Sequence, residues 1–202
     1  MEWKIADFHN DALTAGVDLG LLSKETELCV CAIYTGERLL QYIRALASKF
    51  MKERRQNLFL SLEDASYLND DNIEEVAAWA PVCVSLTWNG ENALGGGCLS
   101  DGGLTSRGER MVTELSQKGI AIDVSHLNTR SFCELLDCCP HIVATHSCLN
   151  VFCNHPRNLA DWQIKEITER GGIIGITLVT SFLGGQGRAE DVFRHIDYGV
   201  QK

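Results

Sequence analysis

Four short stretches of this sequence carry side chains suited to metal chemistry. His9-Asn10-Asp11 follows the apolar run 3–8, Glu63 follows the run 57–62, His126 follows 120–125, and His146 follows 141–145. Imidazole and carboxylate are the groups that a borderline divalent ion such as zinc prefers. His9 and Asp11, two residues apart, would point the same way from an extended strand, so one ion could take both. Three histidines and two carboxylates exceed the three protein ligands of an ordinary catalytic zinc. They suit two ions if one carboxylate bridges, and such a pair can activate water at neutral pH and clamp a tetrahedral intermediate. Each residue alone has a plainer reading: a lone His-x-Asp is more often structural, and a glutamate after an apolar run is usually solvated. The recurrence at the ends of four separate runs is what points to a metal.

The positions depend on the elements that carry them. Seven apolar runs, at 3–8, 28–34, 57–62, 81–87, 120–125, 141–145 and 172–178, have the length and Val/Ile/Leu content of strands buried on both faces. Helical patterns lie between them, at 36–55, 71–80, 105–119, 129–137 and 161–171, with a last one at 189–201. In the third of these helices Thr105 or Ser106 is the expected N-cap, and Gly119 the expected residue just past the end. Strand–helix alternation predicts a parallel sheet. The fold class expected is α/β, a (β/α)8 TIM-barrel-like metal-dependent hydrolase with only about seven βα units. All 202 residues are read as one incomplete barrel domain, since such a barrel usually takes about 250. Its chemistry sits at the C-terminal ends of the strands, where the four stretches fall.

Composition narrows the partners. With 45% hydrophobic and 22% charged residues the chain is an ordinary globular one. Its net charge of −9, without a Lys/Arg block, argues against nucleic acid and against an anionic membrane surface. No apolar run approaches the ~18–20 residues of a membrane span, and residues 1–7 do not read as a secretory signal. Nine cysteines without a CxxC pair are expected to be small buried hydrophobes in a reducing cytoplasm rather than a disulfide framework.

At these residues the sequence resembles the membrane (renal) dipeptidase family of zinc metallopeptidases. The resemblance rests on Asp7-Phe8-His9-Asn10-Asp11, Ser61-Leu62-Glu63-Asp64, Ser85-Leu86-Thr87-Trp88-Asn89 and Gly103-Leu104-Thr105-Ser106-Arg107-Gly108. It continues through Ile122-Asp123-Val124-Ser125-His126, Ala144-Thr145-His146-Ser147, His155-Pro156-Arg157-Asn158-Leu159-Ala160-Asp161 and Gly171-Gly172-Ile173-Ile174-Gly175-Ile176. These stretches stand in the family's order across nearly the whole chain.

The resemblance implies an enzyme with two zinc ions that hydrolyses dipeptides, a C-terminal D-residue among those accepted. His9 and Asp11 would bind the first ion and His126 and His146 the second, with Glu63 as bridging ligand and catalytic residue. Arg157 would hold the substrate's free carboxylate by paired hydrogen bonds, and Trp88 would contact the substrate. Water activated by the metals would attack the peptide carbonyl. His141, His155 and His195 match no ligand position and are read as structural or solvated.

Two departures from the family pattern stand out. Animal members carry a histidine where this chain has Trp88; the Trp-Asn form resembles bacterial members, and with no signal or anchor pattern read in the sequence the expected location is a bacterial cytoplasm. The family's eighth strand, with a Gly-Ser-Asp-Phe-Asp-Gly-like motif whose first aspartate is the proton shuttle, has no match here. Strands one and seven are therefore expected as open edges, for a second copy or a partner polypeptide to cover. The alternative function is a catalytically impaired member that binds metal or dipeptide without turnover. Another two-metal hydrolase on the same barrel is a third reading, disfavoured by Arg157.

Overall fold

Apolar runs become strands here because each finds a parallel neighbour on the side its own hydrogen-bonding groups face. The computed structural model describes residues 5–36 and 38–202. In chain order the elements are β1 Ala6–Asn10, α1 Leu19–Glu25, β2 Leu28–Tyr34, α2 Leu40–Glu53, β3 Leu58–Glu63, α3 Ile73–Ala78, β4 Cys83–Ser85 and α4 Ser106–Gln117. They continue with β5 Ala121–Asp123, α5 Thr129–Leu136, β6 Ile142–Ser147, α6 Asp161–Glu169, β7 Ile174–Ile176, α7 Thr180–Leu183 and α8 Ala189–Val200. The seven strands form one parallel sheet in the order β1-β2-β3-β4-β5-β6-β7.

The sheet curls into a nearly closed barrel. The His9 ring on β1 stands 3.9 Å from the His146 ring on β6. At Gly175 on β7 an added Cβ would lie 2.1 Å from the Thr145 carbonyl oxygen and 3.2 Å from the Phe8 side chain, so glycine permits this approach. Among the described residues β1 and β7 do not pair with each other, and both remain edges.

Register decides which residues look inward. Cys31 pairs with Leu60 and Ile33 with Leu62. These side chains join Phe50, Val112, Phe132 and Ile164 in the core shared by strands and helices. The alternate positions Ser61 and Glu63 take the opposite face. On that face Ser61 pairs with Cys83, and two residues further along the strands Ser85 pairs with Asp123 and Asp123 with Val143. The barrel interior is thus lined with small and polar groups, and the apolar packing lies outside it. Phe132 on α5 is fully buried and meets Trp162 on α6 edge to face at 5.3 Å. Phe132→Ala is expected to cost about 3–5 kcal/mol, read as a lower denaturant midpoint at unchanged slope.

The sequence-based boundaries are too generous at several strands. Positions 81–87, 120–125 and 172–178 yield three hydrogen-bonded residues each, Cys83–Ser85, Ala121–Asp123 and Ile174–Ile176. Beyond the ladder Leu86, Ile120 and Val124 stay buried although their backbones leave the pairing, whereas Val82, Ile173 and Leu178 are exposed. The first strand lies further along than 3–8, at Ala6–Asn10; residues 3 and 4 of that expectation fall outside the described residues. The helix expected over 36–55 starts at Leu40, and position 37 is likewise outside the description. Helix α1 was not expected; Asp18 caps it by accepting from the Gly20 amide at 2.7 Å. Thr105 proves to be the cap of α4, accepting from the Gly108 amide at 3.0 Å, and Gly119 follows that helix with φ 73°. All nine cysteines are free thiols, five of them buried.

Candidate metal centre

The C-terminal ends of β1, β3, β5 and β6 meet at one rim, and each delivers a ligand-type side chain to it. His9 lies within β1, Asp11 in the turn after it, Glu63 at the end of β3, His126 in the turn after β5 and His146 within β6. The chain turns sharply just past Glu63: Asp64 takes φ 60°, a left-handed conformation that Asp tolerates better than most residues. Glu63 itself is buried, and its two oxygens face different partners. Oε1 lies 2.7 Å from His126 Nε2 and 3.6 Å from His146 Nε2, while Oε2 lies 3.7 Å from His9 Nε2. His9 Nε2 is in turn 3.7 Å from Asp11 Oδ1. Glu63, His126 and His146 form one set whose ligand atoms fall within 4.8 Å of one another; His9, Asp11 and Glu63 form a second. All five residues singled out as ligands therefore come together, with Glu63 common to both sets.

The donor set suits a cation. His126 Nδ1 is 2.9 Å from Asn89 Oδ1, an oxygen that also accepts from Cys98 Sγ at 3.3 Å. The ring proton is then on Nδ1, and the Nε2 lone pair faces the centre. His126 Nε2 and His146 Nε2 approach to 2.9 Å beside the Glu63 carboxylate. Lone pairs and a carboxylate crowded this closely call for positive charge between them.

The protonation tendencies follow from this crowding. Burial lowers the pKa of His126, against the pull of Glu63, and Arg157 adds to the lowering. Burial puts His146 well below the ordinary histidine range, and a proton there would also be repelled by Arg157 and compete with those on His9 and His126. Burial acts the same way on His9, but Asp11, Glu63 and Asp123 outweigh it and hold that ring above its usual value. His9 beside Asp11 keeps that carboxyl below its usual value.

Above the cluster opens a cleft of about 940 Å³ whose walls include Tyr34, Trp88, Arg157 and Phe182. Trp88 is 45% exposed, sits edge to face with Tyr34 at 5.8 Å and lies 6.2 Å from the His126 ring. Arg157 is only 5% exposed, yet no carboxylate among the described residues pairs with it. Its Nη2 stands 3.2 Å from His126 Nε2 and 3.4 Å from the His146 carbonyl oxygen, while the buried Nη1 has no hydrogen-bond partner. Burial lowers its pKa, against the pull of the Asp123 and Glu63 carboxylates, neither of which is close enough to pair with it. A desolvated guanidinium in this condition is poised for an anion.

The remaining histidines divide as expected. His195 is fully buried, accepting from the Leu149 amide at Nδ1 and donating from Nε2 to the Leu183 carbonyl. His155 stacks near Phe182 and accepts from the Arg157 amide at 3.1 Å, and His141 is exposed. Two residues given no role from sequence also belong to the site. Asn89 holds the His126 ring, and Asp123 has a carboxylate oxygen within 4.8 Å of ring nitrogens of His9 and His146. The available signal for Asp123 was an acidic residue inside an apolar run.

The family model described as membrane dipeptidase (peptidase family M19) matches residues 38–202. The chain belongs to the membrane dipeptidase family. The match starts beyond His9 and Asp11, so those two stand on the geometry above and on the motif around them. A Klebsiella pneumoniae protein named "uncharacterized protein in pqqA 5'region" is 33% identical over 129 residues, 55% of this chain and 46% of that protein. The chain spans about half the length of the curated relatives it matches. Among solved structures, the metallopeptidase "dipeptidase AC" superposes with a TM-score of 0.88 at 21% identity, covering 100% of this chain and 81% of its own. A Rhodobacter sphaeroides metallopeptidase, liganded with a phosphinate mimic of the dipeptide L-Ala-D-Ala, gives 0.78 at 20% identity, covering 98% and 82%. The membrane dipeptidase fold is thus the TIM-barrel-like architecture described here. Among the described residues no helix is long and apolar enough to cross a membrane.

Proposed function

We propose that this membrane dipeptidase family member is a zinc-dependent dipeptidase with two ions at the rim cluster. The observation that carries the reading is the buried, anion-free Arg157 guanidinium set 3.2 Å from His126 Nε2. A cation held against a metal-ligand cluster fits a substrate that offers a free carboxylate a few ångströms from the bond to be broken. His9 and Asp11 would hold one ion, His126 and His146 the other, with Glu63 bridging. When bound, such a pair would supply Lewis acidity and lower the pKa of water toward neutrality. Arg157 fixes the substrate's terminal carboxylate, which sets chain length: a longer peptide would place its scissile bond away from the cluster. Trp88, half-exposed on the cleft wall, covers the substrate's flank. The relative bound to an L-Ala-D-Ala mimic supports D-residues at the second position. The nine free thiols fit a cytoplasmic placement.

The test is a panel of dipeptides, including Ala-D-Ala, against N-acetyl dipeptide amides, with added zinc and with a chelator. Zinc-dependent cleavage confined to substrates with a free carboxylate is expected, and the chelator should abolish it. Equal cleavage of the amides would make the chain a different two-metal hydrolase. No cleavage by a folded, zinc-loaded chain would leave a protein that binds without turnover.

A further inference from the structure

Asp123 is buried within the barrel and four hydrogen-bond donors converge on its carboxylate. Oδ1 accepts from the Ser125 amide at 3.0 Å, the Ser125 hydroxyl at 2.6 Å and the Thr145 amide at 3.1 Å; Oδ2 accepts from the Thr145 hydroxyl. The Thr145 oxygen also lies 2.9 Å from His146 Nδ1. A hydroxyl has one proton to give. Given to Asp123, it leaves only the oxygen lone pairs for His146, so Nδ1 must carry the ring proton and Nε2 the lone pair. Nε2 is the atom that faces Glu63 and His126. The backbone of His146 is tied to the same network, its amide donating to the Ser125 hydroxyl at 3.1 Å.

We infer that Asp123 is a positioning residue which, through the Thr145 hydroxyl, fixes the tautomer of His146 so that its Nε2 lone pair is presented to the metal centre. The consequence for metal binding rests on the function proposed above; the tautomer itself does not. Outer groups of this kind orient metal-binding histidines and affect affinity by about 10- to 100-fold.

Asp123→Asn should invert this arrangement. Three donors hold the Oδ1 position, so the amide oxygen stays there and the NH2 replaces Oδ2. That NH2 donates to the Thr145 oxygen, whose own proton must then turn to His146 Nδ1. The ring proton moves to Nε2, onto the nitrogen meant to bind. The same volume and nearly the same hydrogen-bond count are kept while the tautomer inverts.

The experiment is long-range 1H–15N correlation of the histidine ring nitrogens in the metal-free chain at pH 8, with His146 identified by signal loss in His146→Gln, alongside zinc titration against a competing chelator. The wild-type chain should show the Nδ1–H form and Asp123→Asn the Nε2–H form, with zinc affinity about 10- to 100-fold weaker. Thr145→Val should lose the preference and Thr145→Ser should restore it; this pair decides the matter should Asp123→Asn fold poorly. An Nδ1–H ring and unchanged zinc affinity in Asp123→Asn, or in Thr145→Val, would overturn the inference. The expected tautomers in a chain that never binds zinc would uphold the role of Asp123 and remove the metal reading alone.

Discussion

With two zinc ions held as proposed, Glu63→Gln is expected to weaken both together, each by at least about 100-fold, since even outer-shell changes cost 10- to 100-fold. The reason lies in how the carboxylate is divided: Oε1 faces His126 and His146, and Oε2 faces His9. An amide keeps the shape but gives one lone-pair oxygen and one NH2, so it cannot serve both sides. It also removes the negative charge that would let two cations sit close together. Dipeptide hydrolysis should fall by about 10³-fold, the scale set by losing one strong electrostatic element. Metal content after dialysis against a buffered zinc concentration checks the first part, and initial rates the second. Retention of one ion with full affinity would show that Glu63 serves a single metal.

Arg157→Ala should raise the dipeptide KM by about 2–4 kcal/mol, the cost of truncating one partner of a buried charge pair. That is about 30- to 900-fold at 1.36 kcal/mol per decade. The fold should not suffer, because Arg157 is buried with no carboxylate to pair with and one guanidinium nitrogen unsatisfied. Its removal relieves a desolvation cost rather than breaking an ion pair. A thermal midpoint equal to or above the parent's, combined with the raised KM, separates substrate recognition from structural support. An unchanged KM would take Arg157 out of the site.

Much of the architecture could be read directly along the chain. Runs such as 28–34 and 57–62 coincide with β2 Leu28–Tyr34 and β3 Leu58–Glu63 because burial on both faces leaves little room for polar residues. Two helices were not legible, α1 with seven residues and α7 with four, whereas the six-residue α3 was, because Ile73, Val76 and Ala77 mark one face there. The ligand-type residues His9, Glu63, His126 and His146 were findable because parallel strands all end at one rim, so a polar residue closing an apolar run has a known address.

The alternation of elements and the rim on which the five ligand-type residues gather follow from local periodicity, which neighbouring residues encode. Which groups hold the histidine rings was decided only by the tertiary structure. Asn89 reaches His126 across 37 residues, Arg157 reaches it across 31, and Asp123 reaches Thr145 across 22. Each contact depends on the sheet having closed far enough to set one strand's loop against another's. The direction of a hydrogen bond, and with it the nitrogen that carries a proton, belongs to the assembled network and to no single residue.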